Sequence, residues 1–289
     1  DWSSDVCSSD LTLDIVKVLK GKDTPIPGVV FLHTDSKGNQ EEVTTDEKGQ
    51  AVLKGLTRGT HTVQEKSVPD GYTKNPGVLK FSVDENNKIT LLENTATDKT
   101  GTMKFTLRED GTAQLHVEDV LAPYELIIHK VNDHEKVLEG AEFTLYTDKE
   151  CKQELQKATS GKDGILRFQD LEVEKKYYLK ETKAPDGYRI PVNSDGTDIV
   201  YEIYTKSDPQ KDLFEYYVNG KKYTDATGDF AITGTKAERE VNLKVVNPIG
   251  MKMPETGSPW TAGILLAGVG VIVAGYVMMI RKGKQEDEE

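Results

Sequence analysis

Hydrophobic and polar residues alternate in short runs along most of the chain before residue 250. These runs are rich in Val, Ile, Thr, Tyr and Phe, and Asp-Gly, Asn-Gly or Lys-Gly turns separate them. Alternation with a period of two is typical of half-buried strands. The clearest predicted strands are residues 79–83, 89–92, 143–146, 199–204 and 241–246. No segment before residue 258 keeps a long 3.6-residue period, so the pattern predicts an all-β protein made of two-sheet, immunoglobulin-like sandwiches.

The sequence also repeats itself. Three stretches of its first half have counterparts in the second: 15–18 with 128–131, 28–31 with 140–143, and 63–72 with 179–188. A long-period repeat of this kind indicates two homologous domains in tandem. We place them at residues 12–121 and 125–249, with Ala122-Pro123-Tyr124 as a short, stiff junction.

Several polar residues fall on strand faces that are otherwise apolar. Lys17 shares a face with Leu13 and Ile15, because alternate residues of a strand point the same way. Asp119 is preferred to its neighbour Glu118, since the residues two positions away from Asp119 are apolar. The six polar residues, three per domain, are Lys17, Glu65 and Asp119, and Lys130, Glu181 and Asn247. A buried charge needs a partner. The pattern alone is compatible with a buried ionic or hydrogen-bonded cluster, or with side chains that reach water at strand ends.

The C-terminal segment, residues 250–289, has a different character. Residues 260–280 carry no charge, and as a helix rising about 1.5 Å per residue they span roughly 30 Å, the thickness of a bilayer core. This predicts one C-terminal transmembrane helix. The basic residues that follow it within 281–289, and that would stop transfer, are Arg281, Lys282 and Lys284. Taken alone, this is a single-pass membrane anchor.

A pentapeptide precedes that span: Met253, Pro254, Glu255, Thr256 and Gly257. It resembles the LPxTG signal of Gram-positive sortase substrates, with Met253 in the place of Leu. The resemblance implies that a sortase cleaves between Thr256 and Gly257. The Thr256 acyl group would then pass to an amine of a peptidoglycan precursor or of another pilin subunit. The protein is therefore expected in the cell wall, and in the membrane only through its helix before cleavage.

The two repeats resemble the Cna protein B-type domain, also called the SpaA-type pilin or prealbumin-like domain. The mark of this family is the E-box, YxLxExxxPxGY. The second repeat matches it fully, at Tyr177, Leu179, Glu181, Pro185, Gly187 and Tyr188. The first repeat has His61 and Val63 where the E-box has Tyr and Leu, and then matches from Glu65 onward.

This resemblance implies an intramolecular isopeptide bond in each domain. Lys130 would attack the side-chain amide of Asn247 and release ammonia. Lys17 would attack the carboxyl group of Asp119 and release water. Glu181 and Glu65 would be the catalytic acids of this self-modification, so no enzyme activity on another molecule is expected.

The net charge and the number of cysteines exclude further classes of function. The net charge of -12 argues against nucleic-acid binding, which requires clustered Lys and Arg. The two cysteines, Cys7 and Cys151, predict no disulfide framework. Codon by codon, residues 1–11 resemble the translation of a sequencing adapter. We therefore expect an assembly artefact joined to a truncated gene, so that the missing signal peptide is uninformative and further N-terminal domains are lost.

Two rival functions, an enzyme and an individual adhesin, would require other features of the sequence. For an enzyme, the five histidines lack metal-ligand spacing, and Cys151 is more simply an exposed thiol than a nucleophile. We expect no metal and no cofactor. The remaining choice is between a stalk or pilin subunit and an individual adhesin, which would bind a host or bacterial surface ligand through a missing N-terminal head. No YPKN-like polymerisation motif is present in the sequence.

Overall fold

The structure is a computed structural model that describes residues 11–97, 99–109, 112–223, 230–235 and 238–249. Regular structure in these ranges is β-sheet apart from one 3-10 turn, so the predicted all-β class is confirmed for the part described. The described part holds no helix that is long and apolar enough to cross a membrane. The predicted transmembrane helix, residues 260–280, lies outside the described residues.

The first domain is a sandwich of two sheets. Its first sheet has the order β4 (Gln50–Lys54), β1 (Thr12–Leu19), β10 (Ala113–Leu121) and β6 (Tyr72–Thr73), and β9 (Met103–Leu107) also pairs with β10. Its second sheet has the order β3 (Gln40–Thr44), β2 (Val30–Thr34), β5 (Gly59–Ser67), β7 (Val78–Val83) and β8 (Ile89–Asn94). Alternate residues of both sheets face a shared apolar core.

The second domain repeats this plan. Its first sheet has the order β14 (Ile165–Leu171), β11 (Tyr124–Asn132), β20 (Arg239–Asn247) and β19 (Phe230–Gly234). Its second sheet has the order β13 (Glu154–Thr159), β12 (Glu142–Tyr146), β15 (Lys176–Lys183), β16 (Val200–Asp208), β17 (Leu213–Val218) and β18 (Lys221–Tyr223). A 3-10 turn, Pro209–Lys211, joins β16 to β17. This domain has an apolar core of its own.

The predicted strands coincide with observed ones. Residues 79–83 and 89–92 lie within β7 and β8, and residues 143–146 and 241–246 lie within β12 and β20. The predicted strand at 199–204 corresponds to β16, which begins one residue later and continues to Asp208. The alternation of β10, in which every second residue from Ala113 to Asp119 is buried, is the pattern from which its inward face was predicted.

The first and last strands of each domain are parallel neighbours. Strand β1 pairs with β10 from Leu13 opposite Ala113 to Leu19 opposite Asp119. Strand β11 pairs with β20 over its whole length in the same way. Parallel neighbours need a long crossover connection, which here is the rest of the domain. Residues far apart in the sequence therefore meet at one end of each sandwich.

Two residues, Ala122 and Pro123, lie between the last strand of the first domain and the first strand of the second. Tyr124, assigned to the junction by sequence, is the first residue of β11 and is only 2% exposed. Its ring packs edge-on against Phe214, with the ring centroids 6.3 Å apart. Burial of this large aromatic side chain in the second core draws the strand start back by one residue, leaving Ala122 and Pro123 between β10 and β11.

The 3-10 turn of the second domain contacts the first domain. Gln210 Nε2 donates to the backbone oxygen of Pro25 at 2.6 Å, and Pro209 packs against Gly71. Lys22 of the first domain and Glu174 of the second form an ion pair of 2.5 Å. These contacts join the domains beside the covalent junction.

Replacement of Gly71 with Ala is expected to loosen this contact. Gly71 has a φ of 94°, and an added Cβ would meet Pro209 Cγ at 2.7 Å. The matched control is Gly187→Ala, because Gly187 has a similar φ of 84° but no described heavy atom within 4 Å of an added Cβ. Both changes strain the backbone by a similar amount. Small-angle scattering should therefore show a wider spread of domain orientations for Gly71→Ala alone, and equal curves for the two variants would contradict the contact.

Candidate functional site: a buried lysine cluster in each domain

Three of the predicted site residues meet inside the first domain. Lys17 Nζ lies 2.6 Å from Glu65 Oε1 and also forms an ion pair with Asp119 Oδ1. All three side chains are fully buried. Lys17 and Asp119 come from neighbouring strands β1 and β10, and Glu65 comes from β5 of the facing sheet. The cluster therefore bridges the two sheets across the core.

The other three predicted residues meet in the second domain. Lys130 Nζ donates to Asn247 Oδ1 at 2.6 Å and to the backbone oxygen of Val245 at 2.9 Å. Asn247 Nδ2 donates to Glu181 Oε1 at 2.6 Å. The second carboxylate oxygen, Glu181 Oε2, lies 3.9 Å from Lys130 Nζ. The lysine, the amide and the carboxyl group thus form one buried chain of contacts.

Strand register explains why both clusters have the same layout. In the first domain, Lys17 lies opposite Val117, two residues before Asp119. In the second domain, Lys130 lies opposite Val245, again two residues before the acceptor, Asn247. In the second sheet of each domain, the glutamate pairs with a buried phenylalanine. That pair comes immediately after a shift in the strand register. The same register in both repeats brings a lysine, a glutamate and an acceptor together.

Burial shifts the pKa values in the second cluster in opposite directions. It lowers the pKa of Lys130 to about 8, against the opposing influence of the Glu181 charge. Burial also raises the pKa of Glu181, while Lys130 and the hydrogen bond from Asn247 oppose that rise. Loss of water disfavours the charged form of each group. Burial therefore moves both groups toward their neutral forms, a free amine at Lys130 and a protonated carboxyl group at Glu181.

In the first cluster, the acceptor itself is the perturbed group. Burial raises the pKa of Asp119 to about 7, Lys17 opposes this rise, and the negative charge of Glu65 adds to it. A protonated carboxyl can lose water to an attacking amine, whereas a carboxylate is a poor electrophile. Both clusters thus place an amine against a side chain that can become an acyl group.

Asn75 also belongs to the first cluster, although no side-chain pattern in the sequence indicates it. Its backbone N–H donates to Glu65 Oε2 at 2.8 Å. Its buried side chain accepts from the Gly77 N–H at 2.9 Å and donates to the Glu118 backbone oxygen at 3.4 Å. A backbone donor leaves no side-chain pattern in a sequence. The only signal was the Asn75-Pro76-Gly77 sequence, which is typical of a turn.

The structure also explains why the first E-box tolerates His61. In the second domain, Tyr177 Oη at the matching position accepts the Glu172 N–H at 2.9 Å and anchors the preceding loop. In the first domain, His61 Nε2 lies 2.7 Å from the Thr57 backbone oxygen and anchors that loop instead. His61 Nδ1 lies 2.9 Å from His33 Nε2, and the two rings are stacked. Since Thr57 O can only accept, Nε2 of His61 carries the proton.

The other candidate residues lie apart from these clusters. Cys151 lies in the turn between β12 and β13, where burial raises its pKa and so disfavours the reactive thiolate. Within the ranges that the structure describes, no three His, Cys, Asp or Glu side chains are grouped so that they could hold a metal ion. The sortase motif, Met253 to Gly257, and the basic residues Arg281, Lys282 and Lys284 lie outside the described residues.

Comparison with known proteins identifies the domain type. The family model described as "SpaA: Prealbumin-like fold domain" matches residues 12–100 and 124–207. No curated protein matches the sequence. Matches among solved structures include the Bacillus anthracis TIE protein, at 24% identity over 82% of this chain and 34% of that chain, with a TM-score of 0.34. The chain therefore spans about a third of the TIE structure.

Two further solved structures come from pilus proteins. One is the C-terminal fragment of the pilus adhesin SpaC from Lactobacillus rhamnosus GG, at 16% identity over 85% of this chain and 99% of that chain, with a TM-score of 0.37. The other is BcpA, the major pilin subunit of Bacillus cereus, at 13% identity over 83% and 99% of the two chains, with a TM-score of 0.26.

Proposed function

Because the chain belongs to the SpaA prealbumin-like family, we propose that it is a sortase-anchored structural protein of the Gram-positive cell surface, a stalk or pilin subunit. Each domain is stabilised by an internal isopeptide bond, Lys17–Asp119 in the first and Lys130–Asn247 in the second. The observation that supports this most strongly is that both repeats bury a lysine, a glutamate and an acceptor side chain in contact, at the same strand register.

In the second domain, the proposed reaction is a transamidation. The neutral amine of Lys130 attacks Cγ of Asn247, and the C–N bond to Nδ2 breaks. Glu181 lies beside Nδ2, so its proton passes to the leaving nitrogen, which departs as ammonia. The proton lost by the attacking amine returns to Glu181. The carboxyl group is therefore regenerated, and the two side chains share one amide.

In the first domain, the same attack is a condensation. The amine of Lys17 attacks Cγ of Asp119, and the hydroxyl of the protonated carboxyl leaves as water. Glu65, in contact with Lys17, moves the protons. The Lys17 amine and the Asp119 carboxyl group are already within hydrogen-bond distance. The fold therefore supplies most of the orientation that the reaction needs.

The bonds would tie the first strand of each domain to the last. In the chain-entropy model of a cross-link, closing a loop of about 100 residues contributes roughly 4–5 kcal/mol to stability. A tensile load on the ends of a domain would pass through the covalent bond instead of through the hydrogen bonds of the sheets. This is the property that a wall-attached stalk without disulfides requires.

The mass of the intact protein tests the cross-links. Purified full chain in detergent is expected to weigh less than its sequence by one water and one ammonia. Peptide mapping should recover Lys17 joined to Asp119 and Lys130 joined to Asn247. If the folded protein has an unmodified mass, the cross-link proposal is wrong. The six residues then form only ionic and hydrogen-bonded clusters.

A pilus subunit and an individual adhesin would occur in different covalent forms in the native wall. Ladders of covalent multimers in denaturing gels of wall extracts would indicate incorporation into a pilus. A single wall-linked species would indicate an individual surface protein, which is the adhesin alternative. A reaction with a small external substrate is not part of either role.

A further inference from the structure

An open groove lies at the end of the second domain from which the chain continues after Ile249. One wall is formed by residues 136–140, which follow β11, and the other by residues 183–188, which begin at the end of β15. The cavity between the walls has a volume of about 450 Å³. Two basic and two acidic side chains balance each other along the walls: Lys136, Lys183, Glu139 and Asp186.

The first wall of this groove has an equivalent in the first domain, where it is covered. Pro25 pairs with Val18, and Val137 pairs with Val131, in each case directly after the lysine of the buried cluster. Pro25 and Val137 are therefore equivalent residues. The backbone oxygen of Pro25 accepts a hydrogen bond from Gln210 of the second domain. Val137, by contrast, is 47% exposed.

The opposite wall shows the same contrast. Gly71 and Gly187 occupy the same position of the E-box. Gly71 contacts the 3-10 turn of the second domain, whereas no described heavy atom lies within 4 Å of a Cβ added to Gly187. The walls of the first domain also approach each other, since a Cβ added to Gly28 would meet Pro69 at 3.5 Å. A Cβ added to the equivalent Gly140 would meet no described atom within 4 Å. The second domain therefore leaves open a surface that the first domain uses for docking.

Strand pairing directs the chain into this groove. Ile249 pairs with Tyr188 in the antiparallel sense. Continuation of that register brings residues 250–253 beside residues 184–187, which belong to the second wall. Strand β20 has β11 on one side and Tyr188 on the other, so an extension of β20 runs between the two walls.

The first domain shows that such pairing continues beyond the tyrosine of the E-box. There, the Ala122 N–H donates to the backbone oxygen of Gly71 at 2.9 Å. The chain then turns through Pro123 into β11. The equivalent residue after Ile249 is Met251, which has neither the fixed φ nor the missing N–H of proline. Antiparallel pairing can therefore extend further in the second domain.

The residues that follow Ile249 suit a neutral groove with apolar surface. Residues 250–253 read Gly-Met-Lys-Met and lie outside the described residues. Methionine side chains are unbranched and adapt to irregular apolar surfaces. Val137 on the first wall and Ile249 beside the second, 47% and 54% exposed, provide such a surface.

We propose that this groove is the docking site of residues 250–253 of the same chain. In the register set by Ile249, Met253 lies opposite Ala184, and Thr256 follows three residues later. Met253 is also the first residue of the sortase motif. Only the consequence for sorting rests on the proposed function: the second domain holds its own motif, and a sortase has to draw Met253 out of the groove before it cleaves after Thr256.

Disulfide trapping tests this register directly. The register places Met251 opposite Asp186, and two cysteines can be bridged when their Cα atoms are about 5.5 Å apart. The full chain in detergent carries Asp186→Cys and Met251→Cys, with Cys7→Ser. Native Cys151, at the other end of β12, is kept as an internal control. Mild oxidation should join positions 186 and 251 within one chain, as measured by peptide mapping.

Three other results of this experiment would overturn the proposal. A bond between positions 186 and 251 of different chains would assign the groove to a second copy. Equal amounts of the 151–251 and 186–251 bonds would show non-specific capture. The absence of a bond would show that the segment does not dock in this register.

Trypsin measures how firmly the segment is held in the full chain in detergent. Docking should slow cleavage after Lys252, compared with cleavage after Lys284, which lies beyond the apolar span. Val137→Asp removes an apolar contact from the first wall. It should speed cleavage after Lys252 about fivefold, as for loss of roughly half of the burial of a valine side chain. Val192→Asp is the matched control, because Val192 is 52% exposed but does not line the groove.

Equal cleavage after Lys252 in Val137→Asp and in the wild-type protein would contradict the docking. Both valines are on the surface, so neither change should prevent folding. The mass of the cross-links and the wall fractionation are measured separately, so the docking can fail while the proposed function stands. An intramolecular 186–251 bond in a protein that never reaches the wall would support the docking and refute only the role in sorting.

Discussion

Replacing Glu181 with Ala is expected to restore one ammonia to the mass of the intact protein and to lower the thermal midpoint of the second domain by roughly 10–30 °C. Without the carboxyl group, no proton reaches the nitrogen that leaves Asn247. Lys130 and Asn247 still have each other as partners at 2.6 Å, so the sandwich should remain folded.

The size of this effect comes from the loop that the bond would close. Lys130 and Asn247 are 117 positions apart in the sequence. Cross-linking residues so far apart restricts the unfolded chain and contributes roughly 4–5 kcal/mol in the chain-entropy model. Differential scanning calorimetry measures the change, and mass spectrometry assigns it to the bond.

Glu202→Ala is the matched control for this experiment. Glu202 lies on the neighbouring strand β16 and forms a partly exposed ion pair of 2.7 Å with Lys176. An ion pair of this kind contributes about 1 kcal/mol or less, so the bond and most of the stability should survive. If Glu181→Ala still lost ammonia, Glu181 would not be the proton donor.

The second large effect concerns the location of the protein in its native host. Thr256→Ala is expected to move it from the muramidase-released wall fraction to the membrane and the medium. In the proposed sorting reaction, the acyl group that joins the wall is the carbonyl of Thr256, and the sortase recognises the threonine side chain through its motif. Neither domain contains this residue, so the cross-links and the thermal midpoints should be unchanged.

Glu255→Ala is the control for this second experiment. It changes the position that the LPxTG-type motif leaves open, so wall attachment should persist. Immunoblots of wall, membrane and medium fractions measure the distribution. Sorting would be refuted if the wild-type protein could be extracted by detergent from intact walls with the segment after Thr256 still attached.

Most of the fold and the six side chains of the clusters could be predicted from the sequence. Alternation is a local property, so it identified β7, β12 and β20 and placed Lys17 and Lys130 on inward faces. The repeat established that the two domains are alike. The position of Asp119, rather than Glu118, followed from the apolar residues on its side of β10, and the structure buries Asp119 completely.

What the sequence determined by itself, therefore, is which residues form strands and which side chains leave water, because both depend on neighbours within a few positions. The tertiary structure alone decided the parallel register that brings Lys17 to Asp119, and the contact of the 3-10 turn with Gly71. It also decided that the backbone N–H of Asn75 donates to Glu65. These features depend on pairing between distant strands and on main-chain N–H groups, which no local pattern of side chains encodes.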